Sequence, residues 1–239
     1  MNPLITIVGP TAVGKTDLTL DLAEHLHAEV ISGDAYQVYK QLNIGTAKPS
    51  VDELNRVKHH LIDILDPNDS YSVSIFQDQA KEIIARLKDR NILPILSGGT
   101  GLYVQSLLEN YNFNDVKPDE YLRAELDELY STKGIEGLRD YAFTLGKEHN
   151  IEIQYSDKHR LYRAIEILHH GDVDSLRNQT KDGVSYKGSV IGLMRDRDKL
   201  YERINLRVDM MFDAGLIEEV EQLIKSGVNP DCQAFKGIG

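Results

Sequence analysis

The sequence predicts a parallel α/β sheet flanked by helices and interrupted by an all-helical insertion. Three observations carry that prediction. Continuous β-branched and aliphatic runs, the mark of strands buried on both faces, alternate with helix-period segments up to residue 109. The run Gly9-Pro10-Thr11-Ala12-Val13-Gly14-Lys15-Thr16 fits G-x-x-x-x-G-K-[ST] between the first strand and the first helix, which makes the sheet P-loop NTPase-like. From about residue 114 to 183 no buried-strand pattern occurs, although helical periodicity continues.

Residues 4–8 (LITIV) read as a buried strand. Residues 15–27 place Leu18, Leu22 and Leu26 four apart, one face of a helix. Residues 29–32 (EVIS) form the second strand, ending at Gly33-Asp34. A helix over 76–89 carries Ala80, Ile83, Ile84 and Leu87, and a buried strand over 92–97 (ILPILS) stops at Gly98-Gly99-Thr100-Gly101. A helix over 102–109 follows. The insertion spans 113–186, with helices over 121–130, 135–146 and 158–170, the last burying Leu161, Ala164, Ile165 and Leu168. A polar stretch over 175–185 leads back to a core strand at 190–194. A helix over 199–215 then carries the stripe Leu200, Ile204, Val208 and Met211. The α/β core therefore comprises 1–112 and 187–239.

At 239 residues the chain can bury enough surface to need no staples. Its single cysteine, Cys232, excludes an internal disulfide framework and a thiolate zinc site. The apolar run at the N-terminus is too short for a targeting segment, and no stretch approaches the ~20 apolar residues of a spanning helix, so a cytoplasmic location is expected. The net charge of −11 argues against a nucleic-acid binder. Charge is local, however: between Lys187 and Arg207 six basic side chains face three acidic ones, which is also the composition of a solvated, ion-paired helix. The pairs His59-His60 and His169-His170 lack the surroundings of a metal motif, and neighbours on a strand point to opposite faces.

The loop's chemistry follows from its residue types. Glycines let successive backbone N–H groups converge on phosphate oxygens, and the helix N-terminus adds partial positive charge. Lys15 adds a full charge, and the Thr16 hydroxyl can ligate Mg²⁺. A nucleoside triphosphatase would add a Walker-B aspartate, but the strand at 92–97 runs into Ser-Gly-Gly-Thr-Gly. The acidic residue at a neighbouring strand end is Asp34, placed for a metal ligand, a general base or a turn.

Taken together, these segments resemble the tRNA dimethylallyltransferase (tRNA isopentenyltransferase) family. The resemblance runs through GPTAVGKT (9–16), SGDAYQVYK (32–40), IGTAKP (44–49), HHLIDILDP (59–67), YSVSIF (71–76) and GGTGLY (98–103). It continues in DKHRLYRAIEIL (157–168) and RDRDKLYERINLRVDMM (195–211), spanning essentially the whole chain. Two departures stand out. The family usually has Ser after the aspartate, where this chain has Ala35. The chain also stops within QAFKGIG (233–239), inside a segment resembling a family motif that is followed by further helices, so a truncated chain is expected.

The resemblance implies transfer of a dimethylallyl group from dimethylallyl diphosphate to N6 of adenine-37 in the tRNA anticodon loop, by a monomer using Mg²⁺. The loop would hold the departing diphosphate rather than the γ-phosphate of ATP. Lys15 would stabilise its charge, and Arg197 would make a further bidentate contact. Arg203 and Arg207, one turn apart, read as surface ion pairs. Asp34 would accept a proton from the exocyclic amine, with Thr100 positioning amine or diphosphate. The adenine must be flipped out, at a cost of a few kcal/mol, and read by Gln37 with Asp34, Ala35 and Tyr36. Arg123, His159, Arg160 and Arg163 would touch the RNA from the insertion. The rival readings are an adenylate prenyltransferase acting on AMP or ADP, a small-molecule kinase on the same scaffold, and a nucleotide-switch protein. The last should show switch loops and a Walker-B strand, and neither is present.

Overall fold

The computed structural model describes residues 2–113, 116–171, 173, 176, 183–184 and 186–237. The chain divides into two compact units, Met1–Asn110 with Gly183–Gly239, and Tyr111–Asp182. No helix among the described residues is long and apolar enough to cross a membrane.

The first unit is built on five parallel strands. In chain order these are β2 (Ile5–Val8), β3 (Glu29–Ser32), β4 (His59–His60), β5 (Pro94–Gly98) and β7 (Val190–Gly192), arranged β4-β3-β5-β2-β7. A separate two-residue ladder joins β1 (Asn2–Pro3) to β6 (Tyr186–Lys187). The strand pattern explains the two-sided core. Successive strand residues point to opposite faces, so Val30 and Ile95 enter one apolar cluster with Ile7, Leu20 and Ala23. Their neighbours Ile31 and Leu96 enter the other, with Phe76, Ile84 and Leu107. Each such side chain contributes about 1.5–3 kcal/mol by leaving water, which makes the continuous apolar runs diagnostic of this sheet.

The helices of this unit are α1 (Lys15–Leu26), α2 (Val51–Arg56), α3 (Val73–Asp89), α4 (Gly101–Leu108), α7 (Arg197–Asp213) and α8 (Leu216–Lys225). The expected burial of Ala80, Ile83, Ile84 and Leu87 on α3 holds, although the helix starts at Val73, where the Ser72 hydroxyl accepts the Ile75 amide. On α1 the buried face is Thr19, Leu20 and Ala23, while Leu26 is exposed. The helix is turned so that the Thr19 hydroxyl meets Ser97 on β5 at 2.8 Å. The last strand is an edge strand with Val190 exposed, not a core strand. Of the stripe expected on α7, Met211 alone is buried.

The second unit contains α5 (Glu120–Glu148) and α6 (Lys158–His169). The two helices expected over 121–146 form one segment broken at Gly134, which has φ 64° and ψ −160°. Leu122, Leu126 and Leu138 pack with Leu161 and Ile165 of α6. Most of the polar stretch 175–185, and the last two residues of the chain, lie outside the described residues.

Candidate functional site

The three central strands β3, β5 and β2 run parallel and end together. In such sheets the ligand crevice lies beyond the carboxyl ends of the strands. Here the loops 9–14, 33–37 and 98–100 meet around a cavity of about 350 Å³, whose lining includes Thr11, Lys15, Thr16, Asp34, Ser97 and Arg207.

The phosphate loop supplies one wall. Gly14 opens α1 in a left-handed conformation (φ 107°), which costs glycine least. The Lys15 Nζ folds back on the loop, donating to the carbonyls of Gly9 and Pro10, each at 2.9 Å. Burial lowers the Lys15 pKa from its ordinary value, Asp34 opposes that and Arg207 adds to it. It is a half-desolvated cation that an anion would stabilise. Thr16 is exposed at the start of the same helix and faces the same cavity.

The second wall rests on a close approach of two backbones. A Cβ on Gly98 would fall 2.3 Å from the Gly33 carbonyl oxygen, so only glycine lets β5 and β3 end side by side. That contact brings Thr100 to Asp34. The Thr100 amide donates to the Gly33 carbonyl at 3.3 Å, and its hydroxyl accepts the Ala35 amide at 3.1 Å. Asp34 Oδ1 accepts the amides of Tyr36 (2.9 Å) and Gln37 (3.3 Å), an Asx turn that fixes the carboxylate. Among the described residues Oδ2 takes no hydrogen bond. The turn and base readings of Asp34 are therefore compatible, since each oxygen is available for one task.

The third wall comes from α7. The Arg203 Nε donates to the Ala12 carbonyl at 2.7 Å, and Arg207 lines the cavity half-buried. Burial lowers the Arg207 pKa, against the opposing charge of Asp34. The surface-pair reading of these arginines is thus corrected: helical spacing set them on one face, and that face looks into the cavity. Ahead of the helix, Arg195 donates to the Val13 carbonyl at 3.2 Å. Arg197 is placed elsewhere. Its guanidinium lies 5.4 Å from the Tyr201 ring centroid, bonds that hydroxyl at 3.3 Å and does not line the cavity.

Gln37 lines the cavity with its amide already engaged. Nε2 donates to the carbonyls of Thr46 (3.3 Å) and Ala47 (3.2 Å), and Oε1 accepts the Ser32 hydroxyl at 3.0 Å. Tyr36 donates its hydroxyl to the Lys236 carbonyl at 3.1 Å. A smaller cavity, about 130 Å³, shares Asp34 and Arg207 with the first and adds the apolar side chains of Leu42, Leu216, Val220 and Leu223.

In the helical unit, Arg123 and Arg163 converge on one carboxylate, Glu166, whose side chain is fully buried. Burial would raise its pKa, but Arg123, the Asp119 amide and Arg163 outweigh it and hold the group below the usual range. His159 and Arg160 are exposed on α6, where Asp157 caps the Arg160 amide at 3.0 Å.

A family model described as IPP transferase matches residues 37–239. The chain belongs to the IPP transferase family. The tRNA dimethylallyltransferase of Bacillus anthracis is 42% identical over 236 residues, covering 98% of this chain and 74% of its own length. Among solved structures, the full-length tRNA isopentenylpyrophosphate transferase of Bacillus halodurans matches with a TM-score of 0.70 and 42% identity, over all of this chain and 75% of that one. The corresponding transferase of Staphylococcus epidermidis matches with a TM-score of 0.68 and 37% identity, over all of this chain and 78% of that one. This family membership makes the protein a prenyl transferase on a P-loop-like sheet.

Sequence reading missed Arg207 as a cavity residue and missed helix α8 altogether. For α8 a signal existed: Leu216, Val220 and Leu223 share a face directly after the left-handed Gly215. For Arg207 none existed beyond its spacing from Arg203.

Proposed function

We propose that this protein transfers a dimethylallyl group from dimethylallyl diphosphate to N6 of adenine-37 in tRNA, releasing diphosphate. The observation that carries the reading is the placement of Asp34 between the phosphate loop, faced by Lys15 and Arg207, and a smaller chamber with one apolar wall. The diphosphate lies against the loop amides, Lys15 and Arg207, which neutralise charge as the allylic C–O bond breaks. Arg203 braces the loop through the Ala12 carbonyl. Leu42, Leu216 and Val220 give the five-carbon chain a dry wall. Asp34 accepts the N6 proton as the C–N bond forms, through the oxygen that the turn leaves unused. Thr100 holds that turn in place through the Ala35 amide.

The oxygen donors facing the cavity, the Thr16 hydroxyl among them, suit a hard cation such as Mg²⁺. Bound there with diphosphate oxygens, Mg²⁺ would supply further neutralisation of the leaving group. Arg160 and His159 offer exposed contacts to RNA backbone, with Arg123 and Arg163 holding α6 beneath them. We place the enzyme in the cytoplasm with its tRNA. The loop, the carboxylate and the arginines of the site all come from one chain, so the reading needs no partner subunit.

Radiolabelled dimethylallyl diphosphate offered with unmodified tRNA, with AMP, and alone tests this. Label on tRNA supports the reading, and label on AMP but not on tRNA overturns it.

A further inference from the structure

Helix α8 reaches across the smaller cavity with one side chain, Glu219. Its Oε2 accepts the amides of Asn43 and Ile44, each at 2.8 Å, and its Oε1 accepts those of Ile44 and Gly45, each at 3.1 Å. Three successive amides converging on one point form a nest that favours an anion. Here the anion is a carboxylate from 174 to 176 residues further along the chain. Charge-assisted bonds of this kind are roughly twice as strong as neutral ones. The approach is close, since a Cβ on Gly45 would come 3.2 Å from the Leu216 side chain.

What the nest holds matters more than the nest itself. Beyond it the loop turns back, with the Ala47 amide donating to the Ile44 carbonyl at 2.9 Å. The carbonyls of Thr46 and Ala47 then receive the Gln37 amide, and the Gln37 backbone N–H donates to Asp34 Oδ1. One continuous chain of hydrogen bonds therefore runs from Glu219 through the loop to the Asp34 turn. On its other side, Glu219 is joined through Gly215 to α7, which carries Arg203 and Arg207.

We propose that Glu219 is a positioning residue for prenyl transfer, tying the arginine-bearing helix pair to the loop that sets the Asp34 turn. This rests on the transfer function proposed above. Glu219 borders the chamber assigned to the five-carbon chain, but both its carboxylate oxygens are taken up by the loop amides, and it acts on where Asp34 and Gln37 stand. Its contribution belongs to the bond-forming step and to the acceptor, while Arg203 keeps α7 on the Ala12 carbonyl and the diphosphate keeps its grip on Lys15, Arg207 and the loop amides.

Two variants of the full chain test it. Glu219→Gln keeps the volume and one acceptor oxygen but loses the charge; Glu219→Asp keeps the charge but is one methylene too short to reach. In both, hydrogen exchange at amides 43–45 should rise, and kcat on an anticodon stem-loop RNA should fall about tenfold or more. Affinity for inorganic diphosphate, measured by calorimetry, should stay within about twofold of wild type. Adding Glu219→Gln to Gln37→Ala should slow the reaction no further, because both act through one chain of bonds. Unchanged kcat in the presence of wild-type transfer overturns the positioning role alone, as does parallel loss of kcat, diphosphate affinity and melting temperature. A wild-type protein that transfers no prenyl group overturns the functional reading, and the positioning role with it.

Discussion

The Thr100 hydroxyl accepts the Ala35 amide at 3.1 Å and makes no capping bond to its own helix, although Thr100 stands at the N-cap of α4. That bond joins the end of β5 to the turn that presents Asp34. Thr100→Val is close to isosteric and removes the hydroxyl that accepts the Ala35 amide. It should cost about 1 kcal/mol in stability, the low end for a part-buried amide left without a partner. Single-turnover prenyl transfer should slow about tenfold as the carboxylate loses its register. Thr100→Ser should restore most of the rate, whereas a rate unaffected by Thr100→Val would leave the bond without a catalytic consequence.

Asp34→Asn separates the two tasks of that side chain. Asparagine can still accept the Tyr36 and Gln37 amides, so the turn and the fold should persist. It cannot accept a proton from N6. Transfer should drop by about 10²–10⁴, the usual worth of a general base, while calorimetric binding of diphosphate should hold or strengthen with the negative charge gone. Retention of full activity would remove Asp34 from proton transfer.

The two arginines of α7 that matter can be told from the one that does not. Arg207→Ala should raise the KM for dimethylallyl diphosphate by about tenfold or more, because a half-buried cation is lost from the cavity wall. Arg197→Ala should change it by less than about twofold, since that guanidinium lies on Tyr201. Steady-state kinetics on both variants decides the matter. A reversed order would mean that α7 turns when substrate binds.

Why some of this was legible in the sequence and some was not has a physical basis. Strands buried on both faces leave runs of adjacent apolar residues, which is why β2 and β5 stand out in the sequence, while β3 shows only Val30-Ile31 between Glu29 and Ser32. A phosphate loop is equally legible, because its glycines and lysine are demanded locally. The edge strand His59–His60 is two residues long and polar, so it carries no periodicity at all. Helix α2 is six residues long with no buried side chain, and only its Ser50–Glu53 capping box marks it. The partners of Glu219 are set by tertiary packing, with a loop and a helix brought together from 174 to 176 positions apart. Arg123 illustrates the same limit, since its carboxylate partner Glu166 lies 43 positions along the chain, whereas Arg163 and Glu166 are three apart on one helix.

The buried Glu166 makes the helical unit sensitive to pH in a direction that can be worked out. Its carboxyl is held below the ordinary range in the folded state, so it binds a proton less readily there than in the unfolded chain. The stability it contributes is therefore fully present above the unfolded value of about 4.3 and is lost as pH falls through the lower folded value. Arg123, bonded through Nε at 2.6 Å, supplies the first of the charges that hold it there. Arg123→Ala leaves a buried carboxylate with Arg163 and the Asp119 amide, so the cost at pH 7 should be about 2–3 kcal/mol, below the 3–5 of a fully broken buried pair. The variant's carboxyl should also titrate higher, so that its acid unfolding begins at higher pH than in wild type. Below the folded value Glu166 is protonated in both proteins, and the stability gap should shrink. Arg160→Ala, at an exposed position, should move stability by less than about 0.5 kcal/mol while raising the KM for tRNA and weakening its salt dependence. Urea unfolding of the full chain at pH 7 and pH 4 reads the first effect, and kinetics at two salt concentrations reads the second. A gap for Arg123→Ala that does not change with pH would show that the arginine acts through packing of its aliphatic stem and not through the charge of Glu166.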